Sequence, residues 1–360
     1  MKTGITPKKQ LMNIERFNVE DASRSDCLCL DMNENVRGLP AQFIKNTASC
    51  ITSEYISKYP EYKGLIANVA KLDGLKTMNI CMANGSDAAI KYIFDAYIQK
   101  NDRVVLTDPT FAMYPVYCAI YNAKPIYVRY RNAQSFPAED FLNSLKKGVK
   151  MAVVVNPNNP TGSVIREKDM LEIVKKARRQ NILLLIDEAY YYFYNKSYIK
   201  LINKFGNLIV LRTFSKLCGM AGCRLGYAAA QAGIIRNLKK VKPTYDVNAL
   251  SVLFADRFLK TKRLIGRLVS DSKEGKDYII SNLVKERIKY IPGHANFVLI
   301  ECRRGAAALI NDLRKRKILI SGNFQQPFLK NFIRVTTNSK RTMSIFWKIF
   351  IRVYRKHEKR

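Results

Sequence analysis

Thr213-Phe214-Ser215-Lys216-Leu217-Cys218-Gly219-Met220-Ala221-Gly222-Cys223-Arg224-Leu225-Gly226 decides the reading of this chain. It follows Leu208-Ile209-Val210-Leu211, an apolar run that reads as a buried strand. Its fourteen residues gather two hydroxyls, one lysine, three glycines and one arginine. Glycines allow unusual backbone angles and close approach, so a rigid turn is expected after the strand. Arg224 offers a planar fork of donors for a phosphate, and Thr213 and Ser215 can add hydroxyl donors. A lysine beside fixed positive charge loses some of its own proton affinity and becomes a usable amine nucleophile. Lys216 next to a phosphate cup therefore points to an aldehyde cofactor that carries a phosphate, namely pyridoxal 5'-phosphate. The plainer alternative is a strand-to-helix turn with a solvated lysine, and the rest of the chain has to separate the two.

Upstream, apolar runs alternate with helical stretches, which predicts an α/β fold with a parallel sheet. Met151-Ala152-Val153-Val154-Val155 is one such strand. It ends in Asn156-Pro157-Asn158-Asn159-Pro160-Thr161-Gly162, whose prolines and asparagines fix a turn. Asn159 then sits at the carboxyl end of a parallel strand, where open α/β sheets bind ligands. Ile182-Leu183-Leu184-Leu185-Ile186 is a further strand and runs into Asp187-Glu188-Ala189-Tyr190. A carboxylate at a buried strand end is costly unless paired. Asp187 would be satisfied by a protonated pyridine nitrogen, and Tyr190 could donate to a ring hydroxyl. The lysine motif begins 26 residues later, one strand further along.

Nearer the N-terminus, Ile80-Cys81-Met82-Ala83 leads to Asn84-Gly85-Ser86-Asp87 and a helix over 88–98. Ser86 and Asp87 can cap that helix or help its free N–H groups hold a phosphate. Phe111, past the strand at 103–107, can stack on a cofactor ring or fill the core. Helices are expected over 41–57, 62–73 and 168–179, and long basic ones over 250–287. Short strands are expected at 28–30, 124–128, 296–300, 318–320 and 332–336. Residues 1–30 read as an arm, and Asp31-Met32-Asn33-Glu34-Asn35 as a polar loop. The stretch 340–356 carries Met343, Phe346, Trp347, Phe350, Val353 and Tyr354 at helical spacing. That stripe fits a terminal helix packed on a small domain, and its basic residues also invite a membrane-surface reading.

Composition bounds the answer. The 360 residues are 48% hydrophobic, enough for one large or two moderate domains. No apolar run reaches the length of a membrane span, and no apolar signal core follows the first lysines, so a cytoplasmic protein is expected. Eight scattered cysteines without a Cys-x-x-Cys pair suit a reducing compartment, and two histidines argue against a histidine metal site. The net charge of +33 bears on association rather than fold. It admits nucleic acid or an anionic membrane as partner, although no nucleic-acid module is recognisable.

Taken together, Asn156–Gly162, Asp187–Tyr190, and Ser215-Lys216 with Arg224 eight residues on form an ordered set. The chain resembles the pyridoxal-phosphate-dependent aminotransferases of class I/II over about 31–340, most closely the histidinol-phosphate aminotransferase branch. The resemblance implies a fold-type I α/β architecture: a mostly parallel sheet sandwiched by helices, plus a smaller α+β domain. The expected division is an arm and part of the small domain at 1–45, the cofactor domain at 46–245 and the small domain at 246–360. Lys216 would form the Schiff base and shuttle a proton. Asp187 would pair with the pyridine nitrogen, and Tyr190 and Asn159 would bond the ring oxygen. Ser86, Asp87, Thr213, Ser215 and Arg224 would form the phosphate cup, and Phe111 would stack on the ring where this branch more often has tyrosine. Tyr59 would reach the phosphate of a neighbouring subunit, implying a homodimer. Arg334 would hold the substrate carboxylate, with Asn35 as a further substrate-binding residue.

The substrates implied are an amino acid or amino-phosphate compound and a 2-oxo acid. One departure bears on them. This branch usually has Val-Arg-Pro before the carboxylate arginine, its arginine gripping a substrate phosphate, but here the stretch is Ile318-Leu319-Ile320-Ser321-Gly322-Asn323. The related threonine-phosphate decarboxylases typically carry a His-Gly-Gly-Asn segment that is not found here, so amino transfer is expected over decarboxylation. A non-catalytic regulator using its basic surface on nucleic acid is the reading from another class.

Overall fold

The structure, a computed structural model, describes residues 6–14 and 24–359. Much of the expected N-terminal arm, residues 1–5 and 15–23, lies outside the described residues. Twelve strands are present among those described: β1 Leu28–Leu30, β2 Ile80–Ala83, β3 Arg103–Asp108, β4 Lys124–Arg129, β5 Val149–Val155, β6 Leu183–Asp187, β7 Leu208–Thr213, β8 Gly226–Ala230, β9 Tyr290–Ile291, β10 Phe297–Glu301, β11 Ile318–Ile320 and β12 Phe332–Thr336.

Seven strands make the central sheet in the order β2-β8-β7-β6-β5-β3-β4. The pairs from β7 through β4 are parallel, whereas β8 runs antiparallel to both β7 and β2. Parallel strands buried on both faces need continuous apolar sequence, and β5, β6 and β7 supply it. Met151, Leu185, Ile186, Ile209 and Val210 have no exposure at all. Two apolar clusters lie on opposite faces of this sheet. The parallel run brings the carboxyl ends of β3, β5, β6 and β7 to one edge, where Phe111, Asn159, Asp187 and Lys216 follow.

The smaller sheets are β12-β10-β9, antiparallel, and the parallel pair β1-β11. They share an apolar cluster with the helix Lys340–Lys359. Met343, Phe346 and Phe350 are fully buried there, and Trp347, Val353 and Tyr354 nearly so. Each large apolar side chain buried this way contributes roughly 1.5–3 kcal/mol. The stripe that invited a membrane-surface reading is therefore spent on the protein's own core. No helix among the described residues is long and apolar enough to cross a membrane.

Several boundaries differ from expectation for local reasons. The helix expected over 41–57 is two, Ala41–Ala48 and Ser53–Ser57, because Thr52 caps the second by accepting from the Tyr55 N–H. The helix after β2 begins at Gly85, earlier than expected, so Ser86 and Asp87 lie inside its first turn. Strand β8 has no counterpart in the sequence reading.

Candidate active site

At the end of β6, Asp187 is only 3% exposed. The Tyr114 hydroxyl donates to it at 2.8 Å and the Ala189 N–H at 3.0 Å. Burial pushes its carboxyl up to about 6, with those two donors pulling the other way. Three residues on, the Tyr190 hydroxyl accepts from Asn33 Nδ2 at 2.8 Å. Burial lifts the Tyr190 phenol above its ordinary range, while the Arg334 charge and the Asn33 bond oppose that lift.

Beyond β7, Lys216 Nζ donates to the Met32 carbonyl at 2.8 Å and lies 5.9 Å from the centre of the Tyr190 ring. Burial, then the Arg334 charge, pushes its amine down to about 8. This is the state a nucleophilic or proton-shuttling amine needs at neutral pH. Arg334, on β12, comes from the other sheet. Its guanidinium donates to Asn159 Oδ1 and, at 2.5 Å, to the Asp31 carbonyl, and it lies 5.3 Å from the Phe297 ring centre. Arg334 Nε has no partner among the described residues, and burial lowers the guanidinium pKa.

The anion-binding end is built by close backbone packing. Gly85 has φ +83°, and a Cβ there would lie 2.7 Å from Arg224 Nη2. A Cβ on Gly226 would lie 2.5 Å from the Ser86 nitrogen. Glycine at both positions is what lets the start of the helix Gly85–Tyr97 sit against β8 and Arg224. Arg224, itself left-handed at φ 49°, points Nη2 to within 3.6 Å of Asp87 Oδ2. Thr213 Oγ1 accepts from the Ser215 N–H at 3.1 Å and so shapes the turn.

One cavity of about 320 Å³ joins these groups. Ser86, Asp87, Phe111, Asn159, Asp187, Tyr190, Thr213, Ser215, Lys216, Arg224 and Arg334 all line it. Two expected residues do not. Tyr59 is 74% exposed and stacks on Tyr245 with centroids 4.1 Å apart. Asn35 points its amide at the Leu217 carbonyl, 2.9 Å away, bracing the turn that carries Lys216. Asn33 lines the cavity in its place. The sequence reading does not single out Asn33 or Tyr114. Their polar motifs are visible, but their partners lie 157 and 73 residues away. Below the site, Arg212 is buried between Glu188 and Asp73, at 2.8 and 3.5 Å, and ties the ends of β6 and β7 to the helix Lys63–Asp73.

The family model for aminotransferase class I and II matches residues 25–346. The chain belongs to that family. Histidinol-phosphate aminotransferase from Thermoanaerobacter pseudethanolicus is 37% identical over 314 residues, covering 86% of this chain and 88% of the relative. The enzyme of that description from Caldanaerobacter subterraneus subsp. tengcongensis is 36% identical over 347 residues, covering 92% and 94%. Among solved structures, histidinol-phosphate aminotransferase from Sinorhizobium meliloti, in complex with pyridoxal-5'-phosphate, superposes with a TM-score of 0.84 at 20% identity over 91% of each chain. L-threonine-O-3-phosphate decarboxylase from Porphyromonas gingivalis gives 0.74 at 21% identity, covering 89% of this chain and 98% of that one. At these identities the structural likenesses speak to the fold, which is fold-type I.

The chain is thus an aminotransferase of a pyridoxal-phosphate-dependent family, and amino transfer stands over decarboxylation and over a non-catalytic regulator. The residues fit that cofactor. A Cβ on Gly85 would crowd the tip of Arg224, and the cradle the two residues form offers a guanidinium and helix N–H groups to a phosphate. Asp187, a buried carboxylate with a raised pKa, sits where a cationic ring nitrogen would relieve its burial.

Proposed function

We propose that this aminotransferase holds pyridoxal 5'-phosphate in the cavity between Lys216 and Arg224. It would exchange an amino group between an amino acid or amino-phosphate compound and a 2-oxo acid. The observation that carries this reading is the Lys216 amine, drawn down to about 8 and sharing one cavity with Asp187. Arg224, Ser86, Asp87, Thr213 and Ser215 would hold the phosphate, Asp187 the ring nitrogen, and Tyr190 and Asn159 the ring oxygen. When bound, the cofactor supplies an electron sink that weakens the bonds at the substrate Cα. Lys216 Nζ takes the Cα proton and returns it, since its lowered pKa keeps a large neutral fraction near pH 8. Arg334 holds the substrate carboxylate after letting go of the Asp31 carbonyl.

The curated relatives support histidinol phosphate as the first amine to try. Ser321 pairs with Arg334 through two backbone hydrogen bonds, so Ser321-Gly322-Asn323 stands beside the carboxylate site without an arginine. A substrate phosphate would need another grip. We further propose a homodimer in which Tyr59 serves the partner's site, a cytoplasmic location, and a cofactor domain at 46–245 flanked by small-domain segments at 1–45 and 246–360.

Purified protein mixed with pyridoxal phosphate should gain a visible absorption band that Lys216→Ala abolishes. Glutamate should discharge the band, and histidinol phosphate compared with histidinol should report whether a phosphate is recognised. A band that persists in Lys216→Ala would overturn the reading.

A further inference from the structure

Lys276, on the helix Leu264–Lys285, reaches the turn between β9 and β10. Its Nζ donates to the Gly293 carbonyl at 2.9 Å and to the Ala295 carbonyl at 2.7 Å. No ion pair joins Lys276 to a carboxylate among the described residues. Its charge is spent on two backbone oxygens of one short turn. The helix comes this close because of Gly275. A Cβ there would lie 1.4 Å from the Asn338 carbonyl oxygen, so only glycine lets the helix rest on the backbone that follows β12.

The turn that Lys276 holds touches three parts of the cavity. The His294 N–H donates to the Gly162 carbonyl at 2.7 Å. Gly162 and Gly293 pack so tightly that a Cβ on either lies 3.0 Å from the other's Cα. Gly162 closes the loop that carries Asn159, the partner of Arg334. Next along the turn, Asn296 Nδ2 donates to the Asn33 carbonyl at 3.0 Å, and Asn33 in turn donates to the Tyr190 hydroxyl. Phe297 follows, its ring set edge-on to Tyr190 at 5.8 Å and beneath Arg334. One side chain outside the cavity thus anchors the segment on which Asn159, Asn33–Tyr190 and Arg334 all lean.

We infer that Lys276 is a positioning residue for amino transfer, a pin that fixes Gly293–Phe297 and through it the groups that receive the substrate carboxylate and the cofactor ring. A lysine suits this task. Its ammonium carries three donors on a long stem, so it can bind two carbonyls of one turn, whereas a planar guanidinium presents its donors in a fixed fork. Bonds from a charged donor to carbonyls are also stronger than neutral ones. The kinetic part of this inference rests on the aminotransferase reading, while the positional part does not.

Lys276→Met and Lys276→Arg separate the two parts. Amide hydrogen exchange on the cofactor-free protein tests the pin by itself. In Lys276→Met, protection should fall at 293–297 and at 161–163, with the central sheet unchanged. In the loaded enzyme the KM for the amino donor should rise about tenfold, the scale of one or two lost charged hydrogen bonds, with kcat changing less. Lys276→Arg, which keeps charge and donors, should show the same pattern more weakly, and it carries the test if the methionine variant does not fold. Deprotection of both segments with no donor that turns over would support the pin and count against the aminotransferase reading. A folded variant of either kind that keeps wild-type protection in both segments, or spreads its loss evenly through the protein, overturns the inference. Lost protection with an unchanged KM overturns its catalytic half.

Discussion

Asp187 is held away from its ordinary protonation equilibrium by burial, and that has a consequence for the protein without cofactor. Its folded pKa is raised to about 6 from 3.8, so the folded state disfavours the ionised form. The penalty is absent below the unfolded pKa, grows as pH rises from about 4 to 6, and is fully present above that. Asp187→Asn keeps an acceptor for the Tyr114 hydroxyl but carries no charge. The cofactor-free variant should therefore melt higher than wild type at pH 7.5, with the gap closing by pH 4. Its amino-transfer rate should fall by orders of magnitude, since Asn cannot stabilise a cationic ring nitrogen. Thermal melts at the two pH values, with single-turnover kinetics, check both halves, and equal melting temperatures at pH 7.5 would refute the first. Lys216 shows the mirror effect, its amine lowered by the same burial. Both residues were legible in the sequence because Asp187 ends an apolar strand, Lys216 lies three residues past the end of another, and their chemistry is rare in such places. Asn33 and Tyr114 were not, because ordinary polar residues gain a role only from partners that the fold brings in.

The central strands were legible because buried parallel strands need continuous apolar runs, and β5, β6 and β7 are such runs. Strand β8 was not, since Gly226-Tyr227-Ala228-Ala229-Ala230 has little strand propensity of its own. What makes it a strand is its place between β7 and β2, where small residues let the helix Gly85–Tyr97 approach. That packing separates two glycines that look alike in sequence. A Cβ on Gly85 would meet the tip of a flexible arginine, although its φ of +83° adds strain. A Cβ on Gly226 would meet backbone on two sides, the Ser86 nitrogen at 2.5 Å and the Arg212 oxygen at 2.9 Å. Gly85→Ala should cost about 1–2 kcal/mol of stability and displace Arg224, so that pyridoxal phosphate binds roughly tenfold more weakly. Gly226→Ala has nothing flexible to push aside and should cost about 3 kcal/mol or more. Urea melts and a fluorescence titration with pyridoxal phosphate would measure both, and a reversed order of stabilities would contradict this account of the cradle.

At the scale of the whole molecule, Tyr59 stands apart from the chain's own cavity. Tyr59 is 74% exposed and lies flat on Tyr245, which is itself half exposed. Ile56 and Leu250 are exposed apolar neighbours in sequence of the two rings. A stacked aromatic pair in water gains little from exposure and much from a covering surface. The resemblance assigned Tyr59 to a neighbouring subunit's phosphate, a role that a single chain cannot display, and this is why the sequence reading outran what one chain makes visible. If each site takes Lys216 from one subunit and Tyr59 from the other, two inactive proteins should repair one another. Lys216→Ala has no nucleophilic amine, and Tyr59→Ala has a weakened phosphate grip. A mixed dimer holds one site with both lesions and one with neither. After equal mixing and full subunit exchange, half of the dimers are mixed, so about a quarter of wild-type activity should return at low cofactor. The gain should need time for exchange and should vanish when the subunits are cross-linked before mixing. Activity that stays at the average of the two variants, in a protein shown by light scattering to be a dimer, would place Tyr59 outside the partner's site.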